Sequence, residues 1–410
     1  MVPRWVNNVI WWHVYPLGFT GAPIRTEPDR APRLRQLLNW LDYAGDLGVN
    51  GLLLGPIFAS STHGYDTVDY FQIDPRLGTE AEFLELVAAC RERGFRLGLD
   101  GVFNHVGREH PWVQDVLQRG SQSEGAQLLR WDESAGFTYF EGHEALVTLR
   151  HDDPAVVDYL VRVMEYWLER GIDGWRLDAA YAVAPEVWAQ VLTRVRANFP
   201  EAWFLGEVIH GDYAQFAQVS TVDSLTQYEL WKAIWSSMVD RNYFELAAAL
   251  ERHNQFMGAE LPHTFVGNHD VSRIASVVGE SGSILALTVL MTVGGVPSIY
   301  YGDEYAYQGW KREELGGDDD VRPVMPEFPA DLGPLGREVY RQHQLLIGLR
   351  RNHPWLVRAQ TEVVALSNEQ IEYQVSGPDS ESLTVTLSLS EPKSARVVDQ
   401  RGQICFSFPG

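Results

Sequence analysis

The chain has 410 residues, 45% of them hydrophobic and 12% aromatic, with a formal net charge of -22 at pH 7. That much apolar material can bury a large core and excludes a disordered chain, while the negative balance excludes the basic surface that nucleic acid or an anionic membrane requires. Only Cys90 and Cys405 are present and Met1-Val2-Pro3-Arg4-Trp5 lacks the apolar run of a signal peptide, so the sequence reads as a soluble cytoplasmic protein without a disulfide framework.

Short β-rich runs alternate with longer amphipathic stretches, the pattern of repeated βα units. The first predicted strand, Val9 to Tyr15, precedes a helix over Pro32 to Leu47 that stops at Gly48. The second, Gly51 to Gly55, precedes a helix over Glu80 to Arg93 that stops at Gly94. After the third, Arg96 to Val102, the rhythm breaks. Val106 to Leu149 is polar, contains glycine and has no strong period, so it is expected to form an excursion over the mouth of the fold. A helix over Pro154 to Arg170, with proline in its first turn and Gly171 as its stop, restores the pattern. Five more strands follow: Gly174 to Asp178, Trp203 to Val208, Ser224 to Tyr228, Thr264 to Gly267 and Ser298 to Tyr301. The apolar run Ile284 to Val296 is too short to span a bilayer.

Eight such strands are the number a barrel needs. Beyond Asn352-His353-Pro354 the alternation changes to Ile371 to Val375, Leu383 to Leu389, Arg396 to Val398 and Ile404 to Phe408, as in a small antiparallel β domain. The expected fold is therefore α/β: a (β/α)8 TIM barrel over 1–105 and 150–352, a short excursion over 106–149, and a C-terminal sandwich-like β domain over 353–410.

Four segments carry chemistry at predicted strand ends. They are Asp100-Gly101-Val102-Phe103-Asn104-His105, Gly174-Trp175-Arg176-Leu177-Asp178, Phe204-Leu205-Gly206-Glu207 and Phe265-Val266-Gly267-Asn268-His269-Asp270. A β/α barrel builds its active site at the C-terminal ends of its strands, and two carboxylates flanking a bond are the minimal equipment for glycoside hydrolysis. Arg176 and Asp178 are two residues apart, so on a strand they face the same way, and the guanidinium is expected to keep the carboxylate ionised. Leu205 and Val208 give Glu207 the apolar neighbours that favour an acid. Taken alone, the Arg-Asp pair better suits a structural barrel lining, and Asn268-His269-Asp270 suits a helix N-cap.

With Gly48 to Phe58, Gly64-Tyr65 through Pro75 and Gly295 to Glu304 added, the chain resembles the alpha-amylase family of glycoside hydrolases over nearly its whole length. It is most similar to the neopullulanase, cyclomaltodextrinase and maltogenic amylase branch. The resemblance implies Asp178 as nucleophile, Glu207 as general acid and then base, and Asp270 as a carboxylate that grips sugar hydroxyls and favours an oxocarbenium-like ring. It implies His105 and His269 as donors to hydroxyls of the same sugar, Tyr65 as its stacking partner, and Asp318 with Arg322 as holders of the next sugar on the non-reducing side. The reaction it implies is a double displacement with retention, for which the two carboxyl groups stand about 5–5.5 Å apart.

Three departures bear on specificity. Ala179-Ala180-Tyr181-Ala182 follows Asp178 where starch-acting relatives carry Lys-His and the branch Asn-Glu, making Tyr181 an aromatic platform on the leaving side. Val208-Ile209-His210 has isoleucine where the branch has tryptophan, with His210 a further candidate contact. The chain also enters its first strand almost at once, so the branch's N-terminal β domain and its mode of dimerisation are not expected. Asn104 resembles a calcium ligand of many members, but the rest of that site comes from a longer excursion; no metal and no cofactor are expected. The expected function is a retaining α-glucan hydrolase cleaving mainly α-1,4 bonds in short or cyclic maltooligosaccharides, able also to transfer to a sugar. The alternatives are a transglycosylase or isomerase acting on a disaccharide, an α-1,6-specific hydrolase and, more remotely, a non-catalytic carbohydrate-binding partner. The expected partner is an oligosaccharide, with neither nucleic acid nor membrane, and the sequence leaves the oligomeric state open.

Overall fold

The computed structural model describes residues 2–26, 29–258, 260–314 and 316–409. Eight parallel strands form its centre: β1 Trp11–Val14, β2 Gly51–Leu54, β3 Arg96–Gly101, β4 Gly174–Leu177, β5 Trp203–Gly206, β6 Ser224–Leu225, β7 His263–Phe265 and β8 Val296–Tyr300. Hydrogen-bonded neighbours run in the order β6-β5-β4-β3-β2-β1-β8-β7. A single parallel bridge from Thr226 to His263 joins the two ends, so the sheet is a nearly closed TIM barrel. Nearly every strand residue is buried, because helices cover the outside and side chains fill the inside. This is why the strands read as apolar runs rather than as alternating ones.

The helices between them end where the sequence suggests. Gly48 and Gly171 both take φ 103, the left-handed conformation in which glycine closes a helix at no steric cost. The helix predicted over Pro32 to Leu47 is instead two, Leu34–Leu38 and Leu41–Leu47. The break falls where Asn39 turns its amide to the Glu327 carbonyl, 3.1 Å away, and Trp40 packs its indole against Trp12 and Phe19. The last residue of the apolar run, Val296, opens β8, and Ile284 to Thr292 belong to a longer helix, Ile274–Thr292. The helix's 19 residues are long and apolar enough to cross a membrane, but 72% of its most apolar window is buried inside the fold, and it bends at Gly279. It serves as a core helix of the barrel.

The excursion is more ordered than its sequence suggests. His105–Gly107 pairs antiparallel with Leu146–Thr148 and closes its base. Between them lie a helix, Pro111–Arg119, which buries Val113 and Val116, a small hairpin of Trp131–Asp132 and Gly136–Phe137, and a 3-10 turn, Phe140–Gly142.

The C-terminal strands are β9 Gln360–Leu366, β10 Gln370–Ser376, β11 Ser382–Ser388, β12 Ser394–Asp399 and β13 Ile404–Phe408. They form one antiparallel sheet in chain order, not the expected sandwich. Alternate residues of one face, among them Ile371, Tyr373, Val375, Val385, Leu387 and Val397, are buried. Helices take the place of a second sheet: Phe244–Phe256 touches β9, Ile274–Thr292 touches β12 and Arg337–Asn352 touches β13. The Tyr373 hydroxyl meets the Thr292 hydroxyl at 2.9 Å across this boundary.

Candidate active site

Parallel pairing sets Asp100 on β3 directly beside Arg176 on β4. The ladder continues past the strand ends: Asp178 N–H donates to the Gly101 carbonyl and Glu207 N–H to the Leu177 carbonyl, both at 3.0 Å. Backbone bonding thus carries three acidic residues from three strands to the same rim.

Arg176 holds all three. One terminal nitrogen donates to Asp100 Oδ2 at 2.6 Å and Oδ1 at 2.8 Å, and to Asp178 Oδ1 at 3.2 Å; the other reaches Glu207 Oε1 at 2.7 Å. None of the four is more than 8% exposed. Three carboxylates facing one guanidinium leave an excess of negative charge in a region of low dielectric. Burial and then the Glu207 charge push Asp178 well above the ordinary carboxylate range, against the pull of Arg176. Burial likewise raises Asp100 to about 6. The sequence expects Arg176 to keep Asp178 ionised; the arginine does pull that way, but the net direction is upward, because it is shared three ways and its surroundings are dry.

Glu207 is further fixed by two donors, the Ala179 N–H at 2.8 Å and the Tyr228 hydroxyl at 3.2 Å. Ala179 turns its amide there from a left-handed backbone, φ 45, a conformation that costs an L residue free energy and recurs at functional sites. Asn268 in turn donates to the Tyr228 hydroxyl at 2.9 Å.

A second group adjoins the first. Asp270, 32% exposed in its side chain, lies 3.0 Å from His269 Nε2 and 3.1 Å from the Arg322 guanidinium. It does not cap a helix, since the next one begins at Ile274. Arg322 also pairs with Asp318 at 3.1 Å, donates to the His269 carbonyl and stands over the Tyr15 ring. Asp318 is held in addition by Lys311 at 3.2 Å. Tyr65 links the two groups: its hydroxyl donates to Asp100 at 3.0 Å and touches His269 Nε2, and its ring stacks on that imidazole with an interplanar angle of 2°. Burial, then Arg176, push His269 well below its ordinary range, which favours the neutral imidazole.

His105 is present but occupied. Its Nε2–H donates to the Tyr65 carbonyl at 3.0 Å, its Nδ1 accepts from Asn104 at 3.1 Å, and its ring stacks on Phe140. A sugar hydroxyl would have to displace one of these partners. Burial lowers this histidine to about 4. Tyr181 and exposed His210 lie beyond Glu207 with ring centroids 6.1 Å apart, and the Tyr181 hydroxyl donates to Glu141 at 2.8 Å.

Every candidate read from sequence thus lies in this one region. Sequence reasoning left out Asp100, Tyr228, Asn268, Glu141 and Phe140. Asp100 opens the first of the four chemical segments, and Tyr228 closes the sixth predicted strand, so both carried a positional signal. Glu141 and Phe140 carried none.

A calcium ion does not fit here. Asn104 Oδ1 is buried without a hydrogen-bond partner, but among the described residues no three His, Cys, Asp or Glu side chains are grouped to hold a metal, and calcium takes six to eight oxygens.

A family model described as "Alpha amylase, catalytic domain" matches residues 13–128 and 120–362. The cyclomaltodextrinase of Geobacillus thermopakistaniensis (strain MAS1) is 30% identical over 98% of this chain and 72% of its own. Among solved structures, the cyclic alpha-maltosyl-(1-->6)-maltose hydrolase from Arthrobacter globiformis, in complex with that sugar, superposes with a TM-score of 0.81 at 26% identity, covering 94% of this chain and 92% of the other. The acarbose-soaked debranching enzyme of Nostoc punctiforme gives 0.80 at 26% identity, covering 97% and 92%.

Proposed function

The chain belongs to the alpha-amylase family of glycoside hydrolases, and from that premise we propose that it hydrolyses α-glucosidic bonds, mainly α-1,4, in short or cyclic maltooligosaccharides with retention of configuration. Asp178 is the nucleophile, Glu207 the acid and base, and Asp270 the carboxylate that holds the reacting sugar. Asp178 forms a bond to the anomeric carbon while Glu207 gives its proton to the departing oxygen, whose bond to that carbon breaks. Water then loses a proton to Glu207 and attacks the same carbon, releasing Asp178. The excess negative charge of the carboxyls facing Arg176 favours a proton staying within the buried trio, and the reaction requires it on Glu207 when Asp178 attacks.

The observation that carries this reading is the single guanidinium bound by Asp178 on one terminal nitrogen and by Glu207 on the other. Such a span keeps the two carboxyl groups close together and is compatible with the roughly 5–5.5 Å separation of a retaining pair. The cyclomaltodextrinase relative supports a short or cyclic α-glucan as substrate. A second reading, cleavage of α-1,6 bonds, draws on the likeness to the debranching enzyme and to the hydrolase of a cyclic sugar containing (1-->6) links. Digestion of maltotriose, a cyclodextrin and pullulan, followed by proton NMR of the fresh products, tests both. The α-anomer should appear first from maltotriose; early β-anomer would overturn the retaining assignment, and cleavage confined to α-1,6 links would favour the second reading.

A further inference from the structure

The tip of the excursion reaches the rim beside Glu207 in an unusual conformation. Glu141 takes φ 50 and ψ 26, left-handed for a residue with a side chain, and is followed by Gly142 at φ 80. The turn directs the Glu141 carboxylate onto the strand-four loop, where the Tyr181 hydroxyl donates to its Oε1 at 2.8 Å. Its Oε2 has no hydrogen-bond or ion-pair partner among the described residues, and Glu141 is exposed. Tyr181 is rooted at the acid itself, its N–H donating to the Glu207 carbonyl at 3.3 Å, and its ring is half-buried between Phe140 and His210. Phe140, next to Glu141, is anchored by stacking on His105 with centroids 4.7 Å apart. Three separate chain segments therefore meet at one aromatic ring and one free carboxylate oxygen.

The group that protonates the departing oxygen marks the departing side of the bond. Side chains rooted at Glu207 and open to solvent therefore flank the sugar that leaves. An aromatic face suits the apolar face of a pyranose, and a carboxylate accepts hydrogen bonds from its hydroxyls. We propose that Glu141 completes the platform already expected of Tyr181, its Oε2 accepting from hydroxyls of the first glucose of the departing portion, so that Glu141 selects for a sugar as leaving group. This rests on Glu207 being the acid.

The test compares two substrates that differ only beyond the broken bond: maltotriose, which expels glucose, and α-maltosyl fluoride, which expels fluoride. In Glu141→Ala the ratio of kcat/KM for maltotriose to that for the fluoride should fall about tenfold, the size of one hydrogen bond to a charged acceptor. In Glu141→Gln, whose amide oxygen still accepts from Tyr181, it should fall by only a few-fold. A ratio within twofold of the wild type in both variants overturns the proposal, even if both rates drop together, because that pattern marks a merely structural role. A wild-type chain inert on both substrates would instead overturn the hydrolase reading and this inference with it. Wild-type activity with an unmoved ratio sinks this inference alone.

Discussion

Arg176 decides the electrostatics of the rim, and Asp100 is the partner through which that can be read. Its folded value of about 6 exceeds the ordinary 3.8. Between those values the folded chain keeps a proton that the unfolded chain has released. The stabilising effect is therefore complete below about pH 3.8 and is lost as pH rises through about 6. Asp100→Asn cannot titrate, so its stability should decline less over that window. A shift of about two pH units corresponds to about 3 kcal/mol of difference between the two profiles. Urea unfolding of both proteins from pH 4 to pH 7 checks this, and parallel profiles would show that burial does not hold a proton on Asp100. The same crowding explains why Asp178 is raised on balance although Arg176 pulls it down as expected. Two residues apart on a strand is a pattern visible in sequence, whereas Asp100 and Glu207 claiming the same guanidinium is a matter of strand register and barrel closure.

Helix stops were among the most legible features, and Gly48 shows why. It must take φ 103, and an added Cβ would lie 2.7 Å from Ile347 Cγ2 on the helix Arg337–Asn352. Gly48→Ala should therefore cost about 2 kcal/mol through backbone strain and the clash with Ile347. An unchanged melting temperature would contradict this account of the turn. Strand existence was legible for a related reason, since a strand buried on both faces is an uninterrupted apolar run. Strand ends were not. The run Ser224 to Tyr228 narrows to Ser224–Leu225 because Thr226 makes only the closing bridge and Tyr228 already begins the helix Tyr228–Val239. β9 escaped notice because it is an edge strand with most positions wholly or partly exposed, and so lacks the strict apolar alternation that marked β10 and β11. The helix Pro111–Arg119 went unseen for want of length: nine residues with two buried valines give too short a period to stand out from a polar stretch.

Closure of the barrel converts positions some 170 residues apart into one rim. β1 pairs with β8, the Thr226–His263 bridge joins the remaining edges, and Asp100, Asp178, Glu207 and Asp270 come to surround Arg176, Tyr65 and His269. The carboxylates and histidines were readable because each ends a strand in a motif of its own. The contacts that tune them were not: Tyr228 on Glu207 and Glu141 on Tyr181 each join segments that only the folded chain brings together, and the Asn104–His105 contact, between neighbours in sequence, takes its meaning from the Tyr65 carbonyl on the ring's other nitrogen.

The most direct measurement is to trap the covalent sugar. Incubation with a fluorinated maltosyl fluoride that slows the second displacement, followed by peptide mass spectrometry, should find one maltosyl unit esterified to Asp178, and none in Asp178→Asn. An adduct on Glu207 or Asp270, or turnover with β-configured product and no adduct at all, would contradict the assignment of two carboxylates acting across one guanidinium.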